Sequence, residues 1–80
     1  MNRQPSYIIP EPSILQEIVW DLEDYKRRLG RYFDKADTHK LKVWYFNRYN
    51  EVENTICKMC HDWNVTRKTK PYKLSLEALK

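Results

Sequence analysis

The chain has 80 residues, a formal net charge of +4 and a single Gly, which limits it to one domain with a small core. Its residues are 41% hydrophobic, 14% aromatic and 32% charged. One Gly permits few tight turns, and no apolar run approaches the ~20 residues of a membrane span. The composition therefore argues against a many-stranded β fold and against a transmembrane protein.

Residues 1–11 predict an extended arm, because Pro5 and Pro10 hold their neighbours out of the helical region. Two interpretations of its apolar residues Tyr7 and Ile8 stay open: the arm lies over a groove of the same molecule, or it docks on a partner. The arm lacks the basic and then apolar layout of a signal peptide. We therefore expect a cytoplasmic protein with reduced cysteines.

The first predicted helix covers residues 12–34. Pro12 suits a first helical turn, and Ser13 with Gln16 forms the pattern of a capping box. Gly30 lies inside the helix at a cost of about 1 kcal/mol relative to Ala, which indicates either a close approach of another backbone or a weak last turn. The apolar stripe follows a heptad spacing: Leu15, Ile18, Leu22, Tyr25, Leu29 and Tyr32.

The second predicted helix covers residues 38–63. Asp37 or Thr38 suits its N-cap, and Asn64 suits the left-handed conformation at its end. Its stripe contains Leu41, Tyr45, Tyr49, Val52, Ile56, Met59 and Trp63, of which we expect Tyr45, Tyr49 and Trp63 in the core. Because a short connection makes successive helices antiparallel neighbours, the chain predicts an all-α antiparallel helical hairpin of two long helices.

The remaining residues predict two further segments. Residues 64–74 form a basic linker that contains Pro71, and residues 75–80 form a short C-terminal helix with Leu76 and Leu79 on one side. Together with the extended N-terminal arm, these segments make residues 1–80 a single helical domain.

Large apolar side chains off the stripes predict a further layer. Two helices leave the back of their seam open, while Trp20 falls well away from the stripe and residues 43–46, being consecutive, point all round the second helix. We expect a homodimer or another protein to complete the bundle by oligomerisation. Trp combined with Arg is typical of protein–protein hot spots. The predicted protein interface comprises Trp20, Asp24, Arg27, Arg31, Trp44 and Phe46, with Tyr7 and Ile8 of the arm.

Charge is segregated along the chain. Residues 11–24 carry only acidic charges, residues 25–42 are mostly basic, and a second basic run follows the long helix. We expect the two basic clusters to lie at opposite ends of that helix, where only an antiparallel dimer joins them. The alternative, a nucleic-acid interface, uses Arg27, Arg31, Lys35, Lys40, Lys42, Arg67, Lys68, Lys70 and Lys73.

Residues 62–69, Asp-Trp-Asn-Val-Thr-Arg-Lys-Thr, resemble the turn and the start of the recognition helix in helix-turn-helix DNA-binding proteins. The resemblance implies a basic helix at this place that contacts DNA. Pro71 departs from the pattern, since it falls inside the expected recognition helix and removes an N–H donor.

Cys57, Cys60 and His61 form the string Cys-x-x-Cys-His, which matches both c-type haem attachment and three of the four ligands of structural zinc. Haem attachment requires export, and the other histidine, His39, lies at the far end of the same helix. We interpret the cysteines as small hydrophobes at the core edge. We expect no cofactor and keep these three residues as the only metal candidates.

The chain contains no Gly-rich phosphate loop and no plausible nucleophile–base pair, so we predict neither an enzyme nor a small-molecule substrate. The favoured function is a small protein-interaction module, an adaptor or inhibitor of the type found in phages or mobile elements. Its partner is another protein or a second copy, with no membrane involved. The alternative is a DNA-binding regulator that uses the basic residues.

Overall fold

The computed structural model describes residues 12–80. It contains two long α-helices, α1 (Pro12–Lys35) and α2 (His39–Trp63), and a short 3-10 helix (Leu76–Leu79), with no strand in the described part of the chain. The two long helices pack against each other, which confirms the predicted all-α hairpin. The predicted arm, with Tyr7 and Ile8, lies outside the described residues.

Local capping sets the ends of α2. The Thr38 side chain accepts a hydrogen bond from the Leu41 amide at 3.2 Å, which satisfies one of the unpaired N–H groups of the first turn. At the other end, Asn64 adopts the left-handed conformation with φ 55°, and its N–H donates to the Cys60 carbonyl at 3.0 Å. Both caps agree with the sequence pattern.

The buried face of α1 is rotated relative to the predicted stripe. Ile18 and Tyr32 are 39% and 50% exposed, whereas Val19, outside the stripe, is fully buried. The rotation follows from a third packing partner beyond α2, which draws the next side chains along α1 inward. The buried apolar residues of the two helices are Leu15, Val19, Leu29, Phe33, Phe46, Val52 and Ile56.

The aromatic residues predicted to lie in the core or at the interface differ in part from those predictions. Tyr45 and Tyr49 pack partly buried against the core, but Trp63 is 43% exposed because only the first turn of α1 lies at its level. Phe46, predicted as an interface residue, is instead buried and lies 6.4 Å from Phe33, centroid to centroid. Phe46 is therefore part of the core.

Gly30 has a packing role. A Cβ atom built at Gly30 would lie 3.3 Å from Cε2 of Tyr49. The close approach expected at this glycine is therefore made by an aromatic ring of α2 and not by another backbone.

The third packing partner is residues 64–75, which we call the strap. The chain turns back at Asn64 and runs along the groove between α1 and α2 without helical structure. Val65 is buried in the same cluster as Leu15, Val19 and Ile56. The strap thus closes one side of the hairpin, the strap side, and the 3-10 helix that follows contacts α2. Neither long helix is apolar enough to qualify as a membrane span.

Candidate functional site

A buried ionic network lies where the strap crosses the hairpin. Glu53 of α2 is 1% exposed, and both of its carboxylate oxygens accept hydrogen bonds from Arg67 of the strap at 2.8 Å. Lys26 of α1 donates to the same carboxylate. Glu23 of α1 lies 4.0 Å from the Arg67 Nε. Two acids and two bases therefore share one buried site with no net charge, and the bidentate arginine fixes its geometry.

The ionisation of Glu53 follows from its burial and its hydrogen-bond partners. Burial raises the pKa of the carboxyl, but hydrogen bonds from Arg67, Lys26 and Cys57 outweigh burial and lower the pKa to about 2. Glu53 is therefore ionised in the folded protein at neutral pH, and its charge holds three parts of the chain together.

Glu23 binds the backbone of the strap. Its carboxylate accepts the backbone N–H groups of Lys68 and Thr69, each at 2.7 Å, and the Thr69 hydroxyl. Burial raises the pKa of Glu23, but these hydrogen bonds outweigh it and the pKa is lowered. The strap is thereby held by its main chain, whatever its exposed side chains contact.

Two side-chain amides bind the strap at either end. Gln16 of α1 accepts from the Thr66 N–H at 3.0 Å and donates to the Thr66 carbonyl. Asn50 of α2 accepts from the Leu74 N–H at 2.8 Å and donates to the Leu74 carbonyl at 3.1 Å. Each amide thus makes the two bonds that a neighbouring strand would make, so the strap is bound as an extended peptide.

The strap side also carries a basic groove of about 450 Å³. Arg27 of α1 and Lys68 and Lys70 of the strap line it, together with Tyr49 and Tyr72. The expectation that the two basic clusters stay apart in a monomer is therefore wrong for Arg27, because the strap returns along the hairpin and carries Lys68 and Lys70 to it.

The opposite side of the hairpin, the open side, presents large apolar side chains that no described segment covers. At about 3.6 residues per turn, Ile14, Ile18 and Tyr32 fall on one line of α1. Leu41 and Trp44 of α2 face the same way. These five residues, which define the open side, are between 39% and 53% exposed. Tyr25 and Arg48 mark the seam there, with 3.4 Å between the Tyr25 hydroxyl and the Arg48 Nε.

The structure separates the residues that the sequence analysis combined into one protein interface. Trp20 lies on the strap side, where the Lys68 ammonium is 5.7 Å from its ring, and Asp24 and Arg27 border the same side. Trp44 lies on the open side, against the Tyr45 ring and Arg48. Trp20 and Trp44 are 38% and 53% exposed, so both rings meet solvent, but on opposite sides of the molecule.

The predicted nucleic-acid residues divide into bound and exposed groups. The Arg67 guanidinium donates to Glu53, and the Lys42 ammonium donates to the Phe33 carbonyl at 3.0 Å. Both cations therefore already have a partner within the chain. The predicted recognition helix is wrong, since residues 64–75 are extended and bound in the groove. Two of the exposed members pair with Asp24 at the surface, Arg27 at 2.7 Å and Lys68 at 3.7 Å. The other exposed members are Arg31, Lys35, Lys40, Lys70 and Lys73.

The metal candidates do not converge. Cys57 Sγ donates to Glu53 at 3.0 Å, and this hydrogen bond, with burial, raises the pKa of the thiol. Burial raises the pKa of Cys60. His61 is exposed and lies 3.2 Å from Asp62. Within residues 12–80, no three His, Cys, Asp or Glu side chains are grouped closely enough to hold a metal ion.

No protein-family model matches the chain, and comparison with the curated proteins and with the solved structures finds no significant match. Function is therefore argued from the two sides of the hairpin alone.

Proposed function

We propose that the protein is a non-enzymatic protein-interaction module, an adaptor or inhibitor, whose open side is the contact surface. One observation carries the proposal. Within residues 12–80, the strap fills one side of the hairpin, whereas the other side exposes Ile14 and Ile18 toward one end and Tyr32, Leu41 and Trp44 toward the other. Apolar side chains scattered singly are ordinary on a protein surface, but two groups of large apolar side chains on the same side of a hairpin favour an interaction site.

The chemistry of the open side supports a protein partner. Fully burying a large apolar side chain contributes about 1.5–3 kcal/mol, and Trp and Tyr dominate the hot spots of protein interfaces. The surface lies on two packed helices that the strap braces from behind, so little conformational entropy is lost when it is covered.

A capture experiment with matched variants tests this proposal. The tagged protein, its Trp44→Glu variant and a strap-side control, Arg31→Glu, are incubated in extract of the cell that makes the protein, together with a differently tagged copy, and are recovered by their tag. We expect captured chains that survive washing at about 0.5 M salt, as apolar contact predicts. They should be lost with Trp44→Glu and kept with Arg31→Glu. Recovery of the same chains with all three baits contradicts the proposal.

A second candidate function is nucleic-acid binding on the strap side. The observation that favours it is the meeting of Arg27, Lys68 and Lys70 in one groove beside the exposed ring of Tyr72. Lysines and arginines at this spacing suit phosphates, and an exposed aromatic ring suits stacking of an unpaired base. Arg67 is not expected to contribute, because Glu53 holds its guanidinium.

Fluorescence anisotropy with labelled single-stranded and duplex DNA distinguishes the two candidates. Nucleic-acid binding should weaken steeply as salt rises from about 50 to about 200 mM, because phosphate contacts release counterions. It should also weaken in a Lys68→Ala and Lys70→Ala double variant and be unaffected by Trp44→Glu. No change in anisotropy at the lower salt rules out this second function.

A further inference from the structure

We propose that the open side pairs with the open side of a second copy of this chain, in an antiparallel four-helix bundle with two-fold symmetry. This inference rests on the proposed function, since it names the partner of the same surface. The apolar residues support it by their positions. Ile14 and Ile18 lie toward the end where α1 begins, while Tyr32, Leu41 and Trp44 lie toward the connection between the helices.

Two-fold symmetry brings the apolar residues at the two ends of α1 together, and it sets Leu41 and Trp44 over the end of α2 in the other copy. An axis across the hairpins places the connection of each copy over the end at which α1 begins in the other. In that arrangement α1 faces α1 of the second copy in the opposite direction, and α2 faces α2. Ile14 and Ile18 of one copy then pack against Tyr32 of the other, and Tyr25 lies near the axis. Every neighbouring pair of helices is antiparallel, as in up-and-down bundles.

Charge selects the antiparallel arrangement over the parallel one. The exposed charges beside the open side are Glu17 and Asp21 in the first half of α1, and Arg28 and Lys35 in the second half. Antiparallel copies set each acidic half beside a basic half. Parallel copies crowd the basic ends together, which is unfavourable. Asp21 and Arg28 border the line of Ile14, Ile18, Tyr25 and Tyr32, so they are the charges that face each other across such an interface.

The available area is sufficient for a stable dimer. With 24 residues, α1 is about 36 Å long, and two packed helices are roughly 20 Å wide. The open side therefore offers roughly 700 Å² per copy, or roughly 1,400 Å² in total, within the standard range of about 1,200–2,000 Å² for specific interfaces.

Sedimentation equilibrium of the full chain over a concentration series tests the pairing. We expect about twice the chain mass of 9.9 kDa. Trp44→Glu should raise the dissociation constant at least about 100-fold, whereas Arg31→Glu should change it by less than about threefold. A wild-type monomer at about 0.5 mM overturns this inference. The proposed function survives that result if Trp44-dependent capture of another protein persists, and it fails if such capture is also absent.

Charge reversal tests the direction of pairing. Asp21→Lys and Arg28→Glu should each weaken the dimer by roughly tenfold, because each puts two like charges together at two symmetric places. The double variant restores opposite charges across the interface and should return the dissociation constant to within about threefold of wild type. A double variant that is weaker than either single one overturns the antiparallel arrangement.

Discussion

The two sides of the hairpin differ in the kind of interaction that they offer. On the strap side, Gln16, Asn50 and Glu23 each bind strap main-chain groups, and Glu53 binds Arg67. Directional bonds of this kind admit one position of the bound segment, because a shift by one residue leaves buried polar groups unpaired. On the open side the exposed groups are mostly apolar and specify no such position. Across the part of the chain that the structure describes, the strap thus covers one side in a fixed register, and the other side stays exposed.

The buried network contributes specificity more than net stability. Desolvating Glu53, Lys26 and Arg67 opposes their mutual attraction, so the intact group adds little to the free energy of unfolding. Removing one member has a different result, because the other charges stay buried without a partner. The largest effects of substitution are therefore expected on the strap side.

Glu53→Ala should lower the free energy of unfolding by about 3–5 kcal/mol, because it leaves Lys26 and Arg67 as uncompensated buried charges. Urea denaturation monitored by far-ultraviolet circular dichroism measures the change. The matched control is Glu51→Ala, which removes only the exposed pair with Arg48 at 3.2 Å and should change the free energy by less than about 1 kcal/mol. Equal effects of the two substitutions would show that the network is not buried as described.

Low pH should give the second-largest loss in the free energy of unfolding, because it protonates the carboxylates that bind the strap. The pKa of Glu53 is about 2 in the folded chain against 4.5 ordinarily, so its stabilisation is complete above about pH 5 and is lost as the pH falls toward about 2. The loss from Glu53 reaches roughly 3 kcal/mol below about pH 2 and is roughly 2 kcal/mol at about pH 3, and Glu23, whose pKa is also lowered, adds in the same direction. Urea midpoints between pH 7 and pH 3 measure it. Glu77→Gln, at an exposed carboxyl, should leave the slope almost unchanged, and a flat profile would contradict the prediction.

Removing the two hydrogen bonds that the Asn50 side chain makes to the strap should have a smaller and more local effect. Asn50→Ala leaves the Leu74 N–H and carbonyl without their protein partner and should lower the free energy of unfolding by about 1–3 kcal/mol. Hydrogen exchange should accelerate at Leu74 before it accelerates in α2, because the strap detaches locally. Asn47→Ala, on an exposed part of the same helix, serves as control. Uniform acceleration across α2 would argue against a separately bound strap.

The hairpin follows from helical spacing and from the helix caps. The position of the strap does not follow from spacing, but the charge of one side chain indicates it. Thr38 and Asn64 end α2 as their local chemistry predicts. The strap was interpreted as an exposed linker, since its basic residues and Pro71 are typical of one. A signal for its true position was present: Glu53 falls on the apolar stripe, between Tyr49 and Ile56. A carboxylate buried at such a place requires a cation, and Arg67 is the one that the following segment supplies.

The division into two sides was not predictable from spacing, because it depends on where the strap lies. With α2 alone as a partner, Ile18 and Tyr32 would lie on the seam as the stripe predicts. The strap occupies the flank near Glu23 and rotates α1, so Val19 turns inward and Ile18 and Tyr32 move to the open side. The open side is thus a consequence of strap binding, and a substitution that releases the strap should alter both sides.

Trp44→Ala gives the smallest expected effect on the folded monomer and the clearest contrast with the strap side. The ring lies against Tyr45 and Arg48 of its own helix and is 53% exposed. At micromolar concentration its removal should cost less than about 1 kcal/mol. If a second copy covers the ring, the cost should grow with protein concentration, since association stabilises the folded state by mass action. Trp20→Ala, on the strap side, should show the same cost at every concentration. If the loss at Trp44 did not depend on protein concentration, the ring would stabilise the monomer itself and would not belong to an interface.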